Sequence, residues 1–307
     1  MKSDLFLAAL KRAITIPDYQ NRFSQEDLFA LINEEQQSTI VPMLLAMRQE
    51  YTVVREEITI PADVGELQIP PRAVGRNLRE LHLKSSQSNT GGFFNLPRIS
   101  LEDSHLFQGK VGSSAGFYLR GDFIIMLPTA NKIQTVVCFY NQKPSDIVSI
   151  NLCGNITSIV TNTVTLDLLP ENITVGSVCD ITQAKPGYNL NVKDITVTNV
   201  NGTTLTFGAQ TVINAVVGDS LSLATTTCVL QLPDEAQQVL IQAAALRVIQ
   251  AYGDNAQVDL VKQQLESKKK ACQMIFAPRV QGELQKIVNR NGVTLRPRHN
   301  LVFDVSI

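Results

Sequence analysis

Apolar residues recur at helical spacing near both ends of the chain and at strand spacing between them. In residues 3–16, Leu5, Leu7, Ala8, Leu10, Ala13 and Ile14 form one apolar face, and Pro17-Asp18 is expected to end it. Ser24, with Asp27 three residues on, has the form of a capping box. The helix it opens carries Leu28, Leu31, Ile32, Ile40, Leu44, Leu45 and Met47, with a kink or restart expected at Pro42. From Tyr51 the texture turns β-branched and alternating, through Val53, Val54, Ile58 and Ile60. Leu78–Leu83 and Thr135–Tyr140 read as strands, and Ser85–Gly92 as a polar loop. Phe117–Leu119 and Phe123–Leu127 flank Arg120-Gly121-Asp122, a hairpin signal. The pattern predicts about five strands between residues 51 and 148.

Residues 149–228 change again. Only seven are charged: Lys185 and Lys193 against Asp167, Glu171, Asp180, Asp194 and Asp219. Within them the chain echoes itself. Ile156-Thr-Ser-Ile159, Asn162–Leu166 and Ile173–Gly176 are answered by Ile195-Thr-Val-Thr198, Gly202–Leu205 and Val216–Asp219. Two units of strand, turn, strand, turn, strand predict a small β-sandwich or barrel made by duplication. Helical spacing returns at Pro233-Asp234, with Val239, Leu240, Ala243, Ala244, Leu246 and Ile249. Gly253-Asp254 breaks it, a further helix runs to about Met274, and Pro278 closes that one.

The expected class is α+β. Residues 1–50 and 232–276 would form one helical domain, since neither helix pair can bury its apolar face alone. Residues 51–148 would be a β region, 149–231 an inserted all-β domain, and 277–307 an extended C-terminal tail.

Composition narrows the function. Lys+Arg 27 against Asp+Glu 28 lacks the basic excess of a dedicated DNA binder. Tryptophan is absent and aromatics make up 6%, which disfavours a stacking platform for sugars or single-stranded bases. The five cysteines include no CxxC pair and read as reduced, mostly core residues. His82, His105 and His299 lack metal-ligand spacing, so neither a metal nor another cofactor is expected. The apolar run Leu5–Leu10 is about half the length an export signal needs, and no stretch reaches the roughly 18 apolar residues of a membrane span. A soluble chain without export signal or membrane partner is expected.

Several motifs carry less chemistry than their letters promise. Gly112-Ser113-Ser114-Ala115-Gly116 fits GxSxG, but a nucleophile elbow needs a helix after it and acid and His partners. Here Phe117–Leu119 reads as a strand, and the only later histidine is His299. Gly121-Asp122 is chiefly turn chemistry rather than part of an adhesion tripeptide. Lys268-Lys269-Lys270 suits a helix C-terminus, with an acidic partner or DNA phosphates as the other reading. Asn155, Asn172 and Asn201 head glycosylation patterns but are expected to be ordinary turn and strand residues. The last 31 residues hold Arg279, Lys286, Arg290, Arg296 and Arg298 against Glu283 and Asp304, and end in an alternating strand-like run. Such a segment either docks on its own domain or adds a strand to a partner.

Five stretches together resemble the head-to-tail connector (portal adaptor, or neck) proteins of tailed, mainly short-tailed, bacteriophages. They are Val41-Pro42-Met43-Leu44 to Tyr51, Ile69–Glu80 with its Pro70-Pro71-Arg72-Ala73-Val74-Gly75, Leu119–Pro128, Phe139–Val148, and Ala277–Arg290. Residues 149–228 are least covered, and Gln142 stands where the family often has Arg. The resemblance implies a ring of about twelve copies with closing side faces. Its partners would be further copies of itself, the portal, tail or nozzle proteins, and double-stranded DNA passing without sequence-specific binding. It implies a virion neck protein, assembled in the host cytoplasm, with no catalytic residues. Arg279, Lys286, Arg290, Arg296 and Arg298 would meet the portal, with Phe303 and Val305 as apolar anchors. The alternative is a surface module whose insert binds a receptor or carbohydrate. Against an enzyme stands the lack of a paired-carboxylate motif, a metal set or a phosphate loop.

Overall fold

The computed structural model describes residues 1–14, 22–47, 49–84, 92–107, 112–184, 190–208, 214–253 and 255–276. It is a mixed helix-and-sheet structure with five α-helices: α1 (Ser3–Ala13), α2 (Gln25–Glu35), α3 (Val41–Met47), α4 (Asp234–Tyr252) and α5 (Asn255–Ile275). The capping box at Ser24 forms in both directions. Ser24 Oγ accepts from the Asp27 N–H at 3.1 Å, and Asp27 Oδ2 accepts from the Ser24 N–H at 2.8 Å. These bonds satisfy two backbone donors otherwise left open near the helix start. Residues Gln36–Ile40 wind as a wider π-turn, and the run stays helical into α3. The reason lies at Pro42, which has no N–H to give to the carbonyl four residues back and whose ring would collide with it.

Helices from both ends of the chain share one core. Phe6 and Leu10 of α1, Leu28 and Ile32 of α2 and Leu44 of α3 pack with Leu240, Ala244 and Val248 of α4 and Leu265 of α5. α4 is buried on nearly every side, as expected of a helix apolar around its circumference. It ends at Gly253, whose φ of +89° is a left-handed conformation glycine adopts without steric cost. α5 then turns back along α4.

Between the helices lie two β units. The first holds β1 (Val53–Ile60), β2 (Glu66–Gln68), β3 (Ala73–Lys84), β4 (Phe93–Asn95), β5 (Gly116–Arg120), β6 (Phe123–Leu127), β7 (Gln134–Gln142) and β8 (Asp146–Ile147). That is eight strands among the described residues, against about five expected. β2, β4 and β8 have three residues or fewer, too short to show alternation. The sheets run β1-β7-β3-β4 and β2-β6-β5, around a core that includes Ile60, Leu81, Met126 and Tyr140. β5 and β6 form the expected hairpin, with Gly121 at φ +58° in its turn.

The second unit is a closed barrel of β9 (Gly154–Val160), β10 (Thr163–Leu166), β11 (Val178–Thr182), β12 (Leu190–Asn201), β13 (Thr204–Phe207) and β14 (Ser220–Leu223). Its order, β10-β13-β12-β11-β14-β9, brings the two echoing halves into equivalent places, with Ile156 answering to Val197, two residues beyond the Ile195 that the sequence echo matched with it. β10 pairs with β13 and β11 with β14, each strand facing its own counterpart. The finer bonds repeat as well. Thr157 Oγ1 donates to the Thr165 carbonyl and Thr198 Oγ1 to the Thr206 carbonyl, both at 3.0 Å. Gly176 N–H bonds the Val197 carbonyl and Gly218 N–H the Ile156 carbonyl, both at 2.8 Å. The barrel therefore has a pseudo-twofold axis passing between Asp180 and Ser222, which face each other in the β11–β14 ladder. A final short strand, β15 (Thr226–Thr227), leaves the barrel parallel to β8.

The capping box gives a simple test. Ser24→Ala removes the side-chain acceptor and is expected to lower unfolding stability by about 1 kcal/mol, read from a urea titration.

Candidate functional site

The helical core, the first β unit and the barrel meet where the chain enters and leaves the barrel. Segment 144–147 runs through this junction and is held by side chains. Asn33 of α2 takes both backbone groups of Ile147, accepting from its N–H at 2.7 Å and donating to its carbonyl at 3.0 Å. Gln36 Nε2 donates to the Ser145 carbonyl at 3.0 Å, and Gln231 Oε1 accepts from the Ser145 N–H at 2.8 Å. On the side of the segment away from β15, these amides satisfy backbone groups as a second neighbouring strand would. α1 is tied in through its N-terminal end: Ser3 N–H donates to the Cys228 carbonyl at 2.8 Å, and Lys2 Nζ to Asn155 Oδ1 at 3.0 Å.

One link is a buried ion pair. Arg72, in the bend after Pro70-Pro71, reaches Asp180 of β11 with two parallel bonds of 2.7 and 2.9 Å. Its second terminal nitrogen also reaches Asp194 at 2.6 Å. Asp180 is fully buried and Arg72 is 8% exposed. Two backbone donors complete the carboxylate's shell, from Asp194 and Thr225, each at 2.9 Å. Both donors sit at positive φ, +55° and +66°, a conformation that strains residues bearing a Cβ, threonine above all. Burial alone would lower the guanidinium pKa. The bonds and charge of Asp180, then those of Asp194, more than offset this and leave it raised.

A second polar cluster lies beside it. Lys193 of β12 pairs with Glu56 of β1 at 2.5 Å, and the Tyr140 hydroxyl donates to the same carboxylate oxygen at 2.6 Å. Burial, and then this bond, push the Tyr140 phenol well above its ordinary pKa, so it stays protonated. A cleft of about 540 Å³ opens next to the cluster, lined by Val53, Arg55, Lys143, Asn191 and Lys193 among others. Each of the three chemically active groups here is already bonded to another of them. The arrangement aligns the barrel on the sheet.

Ser114 of the GxSxG stretch donates to the Pro128 carbonyl and Gln134 Oε1, both at 3.1 Å, and a strand follows it. That is not the strand–turn–helix geometry of a nucleophile elbow. His299 lies outside the described residues. Lys268 and Lys269 are half-buried and bond Gln242 and Glu266, while Lys270 faces outward. Asn155 bonds Asp167 across the β9–β10 hairpin. Among the described residues no group of three or more His, Cys, Asp or Glu gathers as a metal site, and no helix is long and apolar enough to cross a membrane. The expected portal contacts Arg279, Lys286, Arg290, Arg296, Arg298, Phe303 and Val305 all lie outside the described residues, as do Pro17-Asp18 and nearly all of the 85–92 loop.

Sequence reasoning missed Arg72 and Asp180 as a pair. One signal was present: Asp180 is a lone charge among Val178, Cys179, Ile181 and Thr182, and a charge inside a buried strand needs a partner. No known protein-family model matches the chain, and no curated protein matches it.

Removing Arg72 leaves the buried Asp180 charge without its ionic partner, and removing Asp180 leaves Arg72 only the exposed Asp194. Arg72→Met or Asp180→Leu is expected to cost about 3–5 kcal/mol in unfolding stability. The double variant Arg72→Met/Asp180→Leu should recover a large part of that loss, as measured by a double-mutant cycle in urea.

Proposed function

We propose that this chain is a structural virion protein of a tailed bacteriophage, and that about twelve copies close into a ring joining the capsid portal to the tail. The ring would sit at the neck, line the exit channel for double-stranded DNA, and hold the portal through the basic residues of 277–307. In this reading the helical layer is one domain made from residues 1–50 and 232–276. It carries the β region 51–148 and the inserted barrel 149–231.

The observation that carries the proposal is the outer side of α5. Among the described residues this helix packs on α4 alone to any large extent. Its outer face combines a shallow groove of mixed charge, with Asp259, Lys262, Glu266 and Lys270, and bare apolar positions. Leu260 is 57% exposed, Met274 78% and Ile275 58%. Mixed charge around uncovered apolar side chains suits a neighbouring copy in a head-to-tail ring, which needs two different complementary faces. It suits a DNA grip poorly, since that requires a basic surface.

A second reading, a receptor-binding barrel, draws on Val160, Val175 and Val217, which are 68%, 61% and 60% exposed. Phe207, the only aromatic side chain among the described barrel residues, is buried, so such a barrel would contact protein rather than stack on sugar.

The test mixes the protein with the portal encoded near it and follows mass photometry with electron microscopy. A ring of about twelve copies stacked on the portal is the expected result. A monomer that ignores the portal overturns it. Deleting residues 277–307 leaves every described helix and strand in place. It is expected to abolish portal attachment with the circular dichroism of the body unchanged.

A further inference from the structure

We propose that Cys153 and Cys228 are a disulfide-forming pair that clasps the neck of the barrel, closed by exchange with a small-molecule disulfide of the glutathione type. The proposal stands apart from the ring reading and concerns only the chemistry of this chain.

All five cysteines are buried and reduced, but they fall into two kinds. Cys138, Cys179 and Cys272 lie in apolar cores, where burial pushes their thiols up to about 12, about 12 and about 11. Such thiols are poor nucleophiles at neutral pH. Cys153 and Cys228 instead sit together in a small cluster of their own with Val229. Cys153 is the last residue before β9 and Cys228 the first after β15, so they mark where the chain enters and leaves the barrel. Two ladders bring these points side by side: β15 runs parallel to β8, and β14 pairs with β9 through Ser220↔Asn155 and Leu221↔Gly154.

Both backbones are pinned where the bond would form. Cys153 N–H donates to the Ile150 carbonyl at 3.1 Å, and the Cys228 carbonyl accepts from Ser3. The two thiols share one buried cluster, and Ser220 Oγ lies 3.0 Å from Cys228 Sγ. The nearness of Cys153, then of Ser220 and the charge of Lys2, brings the Cys228 thiol down from its ordinary value, against the effect of burial. The nearness of Cys228 and burial push Cys153 up. Thiol–disulfide exchange needs a thiolate with a second thiol in reach, and the shared cluster places both sulfurs together.

The step balances as follows. When local opening at the neck exposes Cys228, which is 1% exposed in the closed structure, its thiolate attacks one sulfur of oxidised glutathione, the S–S bond of that molecule breaks, and one glutathione leaves as thiolate. Cys153 loses its proton and attacks Cys228 Sγ, displacing the second glutathione. Two protein thiols are oxidised to one disulfide, and one glutathione disulfide is reduced to two glutathione thiols, which take up the two protons. In a reducing cytoplasm the pair stays open, and it closes in an oxidising medium.

The test uses the full chain, folded, with excess oxidised glutathione at neutral pH. After quenching, denaturation and alkylation, the alkylated cysteines should fall from five by two. Peptide mass spectrometry should show a single 153–228 link that dithiothreitol reverses. Cys153→Ser should instead trap glutathione on Cys228. If that variant does not fold, the unmodified chain decides alone. Five alkylatable thiols in the folded protein, a stable glutathione adduct on Cys228 of the unmodified chain, or a link involving Cys138, Cys179 or Cys272 would each overturn the proposal.

Discussion

A carboxylate with no exposed surface, Asp180, is where two β units with separate cores become one body. Its two oxygens receive four bonds, two from Arg72 and one each from the backbones of Asp194 and Thr225. A buried ion pair is weak evidence for stability, because desolvation takes back most of the Coulomb gain. Directional specificity is what remains. A planar guanidinium and a planar carboxylate meet in one orientation, so the barrel can seat on the bend after Pro70-Pro71 in one way only. The left-handed backbone at Asp194 and Thr225 fits this view, since it aims both N–H groups at the carboxylate at some local cost.

The same logic extends across the junction. Asn33, Gln36 and Gln231 hold segment 144–147 with neutral amides, and Glu56, Tyr140 and Lys193 form the charged cluster next to it. Apolar contacts fill each core, while polar contacts join the cores. Apolar contact is non-directional, whereas an amide that loses its partner in a buried place forfeits its hydrogen bond, so the polar contacts fix orientation. The pseudo-twofold axis sharpens the point. At the place equivalent to Asp180 stands Ser222, whose hydroxyl bonds locally to the Thr226 carbonyl. Two halves with one backbone plan carry opposite duties: one faces the body and the other completes its own turn.

What was legible in the sequence was local. Ser24 and Asp27 sit three apart, Gly121 falls between two apolar runs, and the echo of Ile156–Gly176 in Ile195–Gly218 is written in repeated Thr and Gly positions. Each is decided by neighbours in the chain, which is what a pattern can register. The short strands β2, β4 and β8 hold too few residues for alternation to rise above chance. The π-turn at Gln36–Ile40 answers to Pro42 and to a carbonyl supplied by Ser145, more than a hundred residues away. Arg72 and Asp180 lie 108 residues apart, so only the folded chain shows them as one feature. The portal contacts expected in 277–307 rest on charge and resemblance alone.

The shared core of the terminal helices also sets an order of events in time. Phe6 and Leu10 leave the ribosome more than two hundred residues ahead of their partners Leu240, Ala244 and Val248. Throughout synthesis of the sheets and the barrel, the apolar stripe of α1 has no α4 to cover it. The β units can close on contacts already made, but the helical layer must wait until α4 has emerged. Until α4 arrives, the uncovered stripe of α1 is open to non-native contacts, the hazard of a core closed by segments far apart in sequence.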